Sequence, residues 1–147
     1  YDYRDEWLRF IQTLSSGAPD DGRMCERAIH SLAEIIESPG GILWMRDVGK
    51  RYVPVASWQM EVSESFTVAD DHPLIGFMAS REWLIDLDEY QRDPDLYNRL
   101  VIPGWMDLLQ HAWLVVPLIV HEKLIGFVVL AHSPAQHHFN WEDSDLI

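Results

Sequence analysis

Two runs decide the fold: Trp113–Val120, which reads WLVVPLIV, and Leu124–Ala131, which reads LIGFVVLA, with only His121, Glu122 and Lys123 between them. Nearly all-apolar runs of this length, rich in Val, Leu and Ile and joined by a short polar turn, predict two antiparallel strands buried in mid-sheet. Upstream, Ile42–Met45 and Tyr52–Trp58 form a second pair of β-prone runs. Asp47, Val48, Gly49 and Lys50 separate them, and the glycine can take the positive φ a hairpin loop requires. Pro54 cannot donate to a ladder, which puts the second strand of this hairpin at a sheet edge and the first nearer the centre.

The chain opens on helical periodicity. Tyr3, Trp7, Phe10, Ile11 and Leu14 recur at spacings of three and four, with Asp2, Asp5 and Glu6 in the first turn; there they complement the helix dipole. Ser15 to Pro19 stops this helix. A second runs from about Asp21, with Met24, Cys25, Ala28, Ile29, Leu32, Ile35 and Ile36 on one face. Ser38, Pro39, Gly40 and Gly41 end it, because the residue before a proline is pushed out of the helical region. Residues 59–112 are the least regular part: a helix over Leu74–Ser80, a short strand at Trp83–Leu87, an acidic stretch to Asp95, and a short helix after Pro103 and Gly104. This segment reads as a lid or insertion. Asn140 can cap a final helix starting at Trp141. The order of elements predicts one α+β domain over residues 1–147, with terminal helices on one face of a mainly antiparallel sheet and the variable segment on the other.

Bulk properties exclude several functions. With 24 acidic against 11 basic residues, the chain carries a formal charge of −13, so nucleic acid or an anionic lipid surface would be repelled. The single cysteine, Cys25, excludes an internal disulfide and any site built from several thiolates, and fits a reducing, cytoplasmic compartment. No run reaches the length of a membrane-spanning helix. The chain begins at Tyr1 with no initiating Met, as a domain cut from a longer protein would.

The stretch Trp113–Leu118 followed by Leu124–Leu130 resembles the paired "PL" and "GxLxL" strands of GAF domains. Phe139, Glu142, Asp143 and Leu146 are similar to the Phe-x-x-Glu-Asp opening of the GAF C-terminal helix. More narrowly, Tyr1–Trp7, Tyr52–Ala56, Trp83–Tyr90 and Ala112–Leu118 resemble the GAF segment of PEP-CTERM, or exosortase-system, sensor histidine kinases of the PrsK type. The resemblance implies a GAF-like central sheet of about five to six strands. It also implies a two-component signalling parent anchored at the inner membrane, whose phospho-accepting helices and ATP-binding module lie outside this chain.

It further implies a small-ligand site between the sheet and the irregular segment. Trp58, Trp83, Trp105 and Trp113 could line it, with Phe77 from the lid helix and His72 as a polar contact. Filling the core is the commoner use of such rings, since each buries a large area. The chain lacks the Asn-Lys signature of cyclic-nucleotide GAF domains: neither Asn98 nor Asn140 precedes a lysine. With one cysteine it lacks the thiols of the methionine sulfoxide reductases. Cys25 sits on an apolar helix face and reads as core.

No site for metal, cofactor or catalysis is expected. His132, His137 and His138 follow the last strand as a solvated turn, without the three or four ligands a zinc site needs. Asp86, Asp88, Glu89, Asp93 and Asp95 lack the spacing of a calcium loop and read as a solvated, helix-capping surface. Beyond His72, His111 and His132 there are few titrating groups for an enzyme's cleft. The expectation is therefore a non-enzymatic sensory domain. Trp7, Phe10, Ile11 and Leu14 form a narrow seam suited to packing the first helix against a second copy. The rival expectation is a degenerate scaffold that binds nothing and only spaces or dimerises the parent.

Overall fold

The computed structural model describes residues 2–16 and 22–133. Helices α1 (Tyr3–Ser16) and α2 (Gly22–Ile36) lead into β1 (Gly41–Arg46) and β2 (Arg51–Trp58). The middle of the chain contributes β3 (Val68–Ala69), α3 (Pro73–Arg81), β4 (Ile85–Asp86), α4 (Leu87–Arg92) and the 3-10 turns Pro94–Tyr97 and Gly104–Leu108. Strands β5 (Ala112–Val120) and β6 (Lys123–Ala131) follow. The strands form one sheet in the order β3-β2-β1-β6-β5-β4, antiparallel at every pairing.

The two runs that opened the sequence reading form the longest pairing, and β6 lies beside β1 at the centre. Gly126 makes that contact possible: a Cβ there would sit 2.3 Å from the Trp44 carbonyl oxygen and 2.8 Å from the Met45 sulfur. At the other end of the sheet, β3 pairs only with Arg51 and Tyr52. Pro54 therefore lies beyond the last ladder bond, where its missing N–H costs nothing. Between Leu43 and Trp44 the register against β2 shifts by one residue, leaving Val55 as the bulge.

Period-two alternation sends successive side chains to opposite faces. Ile42 and Trp44 of β1 and Phe127 and Val129 of β6 face the middle segment, where Leu74, Ile75, Met78, Tyr97, Leu100 and Met106 cover them. Leu43, Val128 and Leu130 face the other way, onto Phe10 of α1 and Cys25, Ala28, Ile29, Leu32 and Ala33 of α2. A second bulge breaks the alternation in β5: Ala112 pairs with Ala131 and Leu114 with Leu130, so Trp113 is the extra residue. Trp113 and Leu114 consequently both pack on the helix side.

Three parts of the middle segment differ from expectation. The strand expected over Trp83–Leu87 is confined to Ile85–Asp86, because Leu87 already begins α4. The acidic stretch caps a helix as expected, with Asp86 accepting the Asp88 and Glu89 N–H groups at 3.0 and 3.1 Å at the start of α4, but Asp86 itself is buried, 3% exposed, where a solvated residue was expected. Strand β3 has no counterpart in the sequence pattern, since two residues carry no periodicity. The helix expected after Asn140, and His137 and His138, lie outside the described residues.

The α1 seam is used within the domain. Phe10 is 2% exposed in the helix-side core, and Trp7, Ile11 and Leu14 are partly buried against the same cluster. Leu8, 51% exposed, is the apolar residue α1 leaves outward. No helix among the described residues is long and apolar enough to cross a membrane.

Candidate functional site

On the middle-segment face the site is built from stacked rings. Trp44 lies between Phe127 and Trp105, with ring centroids 4.9 and 5.2 Å away and planes tilted by 12° and 16°. Phe66 stacks on the far side of Trp105 at 5.3 Å. Both indoles are satisfied: Trp44 Nε1 donates to the Phe66 carbonyl at 2.7 Å and Trp105 Nε1 to the Thr67 carbonyl at 3.0 Å. The chain before β3 is thus tied to β1 and to the 3-10 turn Gly104–Leu108. A column of four rings fixed by two hydrogen bonds fills this part of the face and leaves each indole one position.

Helix α3 covers the adjoining area. His72 is its N-cap: Nδ1 accepts the Leu74 N–H at 3.0 Å, and Pro73 starts the helix. An accepting Nδ1 requires the imidazole to be neutral on that nitrogen. Burial pushes the His72 pKa below its ordinary value, with the Asp71 carboxylate pulling the other way. Phe77 packs against Tyr97 at 5.8 Å, and the Arg81 guanidinium sits 4.7 Å above its ring.

Tyr97 organises the turn after β4. Its hydroxyl accepts the Asp86 N–H at 3.1 Å and donates to Glu89 Oε1 at 2.6 Å. Burial, reinforced by the hydrogen bond to Glu89, holds its pKa well above that of an ordinary tyrosine, so it stays a neutral donor. Tyr90 donates to the Leu100 carbonyl, closing α4 onto the following loop.

The six residues expected to line one pocket are divided by the sheet. Trp105 and Phe77 lie on the middle-segment face, and His72 caps the helix that covers it. Trp58 and Trp113 lie on the helix side. There Trp58 stacks on His30 of α2 at 3.7 Å and 18°, and Trp113 stacks on His132 at 4.7 Å and 18°. Trp83, next to Glu82 with φ 53°, points outward and is 68% exposed. The division follows from register. Trp58 continues the alternation of β2 beyond its bulge, and the β5 bulge turns Trp113 to the side of Leu114.

Two further residues, Trp44 and His132, shape the site. Trp44 is the centre of the ring column; the alternation from Leu43 places it on the face opposite the helices. His132 is not in a solvated turn. Its side chain is 11% exposed and its Nε2 pairs with Asp88 of α4.

Two hollows flank this pair. An open cleft of about 720 Å³ lies where β1 begins and β6 ends, lined by Gly40, Gln59, Glu61, Leu108, His111 and His132 among others. A smaller hollow of about 190 Å³ lies between α4 and the 3-10 turn Gly104–Leu108, lined by Leu87, Asp88, Tyr90, Ile102, Met106 and Asp107 among others. No lysine or arginine lines either hollow among the described residues. Together with the charge of −13, this favours neutral or cationic over anionic occupants. Among the described residues no group of three or more His, Cys, Asp or Glu is arranged to hold a metal ion.

A six-stranded antiparallel sheet, with a helix pair on one face and short helices and turns on the other, defines an α+β domain of the PAS/GAF type. The chain belongs to the GAF domain family: the family model matches residues 22–147. GAF domains are a regulatory, sensory fold found in signalling proteins. No curated protein matches the chain. Among solved structures, it is similar to the GAF domain of an Acinetobacter phosphoenolpyruvate-protein phosphotransferase, at TM-score 0.57 and 17% identity over 89% of this chain and 81% of that one. It is similar to a GAF domain/HD domain protein from Geobacter sulfurreducens, at 0.59 and 20% over 86% and 85%. A third is residues 122 to 287 of a methyl-accepting chemotaxis protein, at 0.61 and 16% over 93% and 87%. At such identities these likenesses concern the fold.

Proposed function

We propose that this chain is the sensory domain of a bacterial signal-transducing histidine kinase. A small ligand or a partner engages the middle segment, and the terminal helices carry the change to a kinase module outside this chain. The domain works on the cytoplasmic side of an inner-membrane parent, as a homodimer through its terminal helices, and catalyses nothing itself. The observation that supports this reading most is that a single layer of strands separates the middle segment from the helix pair. Trp44 and Phe127 touch one layer while their neighbours Leu43 and Val128 touch the other. A close-packed sheet transmits a displacement on one face to the other, because its interior has no slack to absorb it. The kinase assignment rests on the segments that resemble sensor histidine kinases.

One observation favours a second reading, a scaffold that binds no ligand: the ring column of Phe66, Trp105, Trp44 and Phe127 fills the face a ligand would occupy. Thermal unfolding of the chain against a metabolite library separates the two. Under the sensory reading, a saturating ligand raises the midpoint by about 5 °C or more, and Trp105→Ala changes its affinity. Under the scaffold reading, no compound shifts the midpoint.

A further inference from the structure

His132 touches both layers of the domain. It directly follows β6, and its backbone N–H donates to the His111 carbonyl at 2.8 Å, which fixes the main chain at the mouth of the cleft. The face of its ring lies on Trp113, a member of the helix-side core with Phe10 and Cys25. The edge of its ring meets α4 on the other side, where Nε2 pairs with the Asp88 carboxylate. The two neighbouring carboxylates on that turn are engaged elsewhere: Asp86 caps α4 and Glu89 accepts from Tyr97. Asp88 is therefore the carboxylate that reaches His132.

We infer that Asp88, His132 and Trp113 form a releasable clasp that couples the position of α4 to the packing of the helix-side core. While Asp88 holds the imidazole edge, the ring is kept flat on Trp113 and α4 is kept on the sheet. When Asp88 lets go, α4 moves away from the strand ends and the ring is free to leave Trp113, which loosens the core around Cys25. Two features make the clasp weak enough to open. Among the described residues the Nδ1 of His132 is buried without a hydrogen-bond partner, so within them the closed state carries an uncompensated desolvation cost. The Asp88 side chain is 48% exposed, so water replaces the imidazole readily once the pair separates. The clasp takes its purpose from the sensory reading, as the route from the middle segment to the helices, but its existence does not depend on that reading.

The test uses the chain itself, without ligand or kinase. Asp88→Asn removes the charge, while His132→Phe keeps a ring on Trp113 and removes the nitrogen. The readouts are amide hydrogen exchange across residues 84–100 and the rate at which an aromatic disulfide reagent labels Cys25, which is 1% exposed. Asp88→Asn is expected to speed both by about five- to tenfold, with the circular dichroism spectrum and the unfolding midpoint nearly unchanged. His132→Phe is expected to speed exchange in α4 by a similar factor and Cys25 labelling by much less. Adding Asp88→Asn to His132→Phe should then change α4 no further. Unchanged α4 exchange in Asp88→Asn, accelerated α4 exchange with Cys25 labelling at the starting rate, or additive effects in the double variant would each overturn the clasp. A negative result here leaves the sensory reading standing, and a metabolite library without hits leaves the clasp standing.

Discussion

The indoles of Trp44 and Trp105 lie 5.2 Å apart and within 16° of parallel, which joins the centre of the sheet to the 3-10 turn Gly104–Leu108 across 61 residues of chain (105 − 44 = 61). Each indole also donates to a carbonyl in the segment before β3. The middle segment is therefore anchored through aromatic rings on regular elements, not through its own backbone regularity.

Removing one ring should show how much the anchor contributes. Trp105→Ala is expected to cost about 3–5 kcal/mol by loss of buried area and the cavity left behind. Trp105→Phe, which keeps a ring and loses the N–H to Thr67, should cost about 1–2 kcal/mol. Urea unfolding monitored by circular dichroism gives both numbers; equal costs for the two variants would mean that the stack contributes nothing.

Gly126 is expected to tolerate no side chain. A Cβ at 2.3 Å from the Trp44 carbonyl forces β6 away from β1, and overpacking of this kind costs about 1–3 kcal/mol or more. Gly126→Ala should lower the unfolding free energy measured in urea, whereas Gly76→Ala, where nothing lies within 4 Å of the new carbon, should leave it unchanged or raise it by about 0.5–1 kcal/mol through helix propensity.

His72 gives stability an acid-side dependence. Its folded pKa lies below the unfolded value, so folding favours the neutral ring. The contribution is fully present above the unfolded pKa of about 6.5 and is lost as pH falls through and below that value, when the unfolded chain binds a proton that the capped helix does not. His72→Asn keeps an N-cap acceptor without a titrating ring. Unfolding free energies between pH 7.5 and 5, a window around that reference value, should fall less steeply in the variant; parallel curves would remove His72 from the account.

Tyr97 acts on the alkaline side. Its folded pKa is raised, so its contribution is present below the unfolded value of about 10 and is lost as pH rises above that value. At neutral pH, Tyr97→Phe should cost about 1–3 kcal/mol by stranding the Asp86 N–H and releasing Glu89. Denaturant unfolding of the variant near neutral pH and above pH 10 checks both signs.

The sheet was legible because its central strands are long and apolar and Pro54 sits on the part of β2 that the short edge strand β3 leaves unpaired. The helix pair was equally legible: Phe10, Cys25, Ala28, Ile29 and Leu32 mark one face by spacing alone. Much less of the site could be read. Which face Trp58 and Trp113 occupy depends on two single-residue bulges, and a bulge leaves no periodic signal because it is the break in one. The acidic run concealed α4, since Asp86 and Asp88 differ in use and not in chemistry: one caps the helix, and the other reaches His132, 44 residues away. That pairing is set by tertiary structure and has no local signature.

The regulatory claim is tested most directly on the kinase-bearing parent that the proposed function assigns to this chain. Autophosphorylation from labelled ATP should be measured for the wild type, Trp105→Phe and Asp88→Asn, with the domain's folding checked in each. The account predicts a parent that labels a histidine, and a rate that changes about five-fold or more in at least one variant, within the range of coupling energies between linked sites. A parent without phosphoryl-transfer activity, or rates identical in all three proteins, would contradict it.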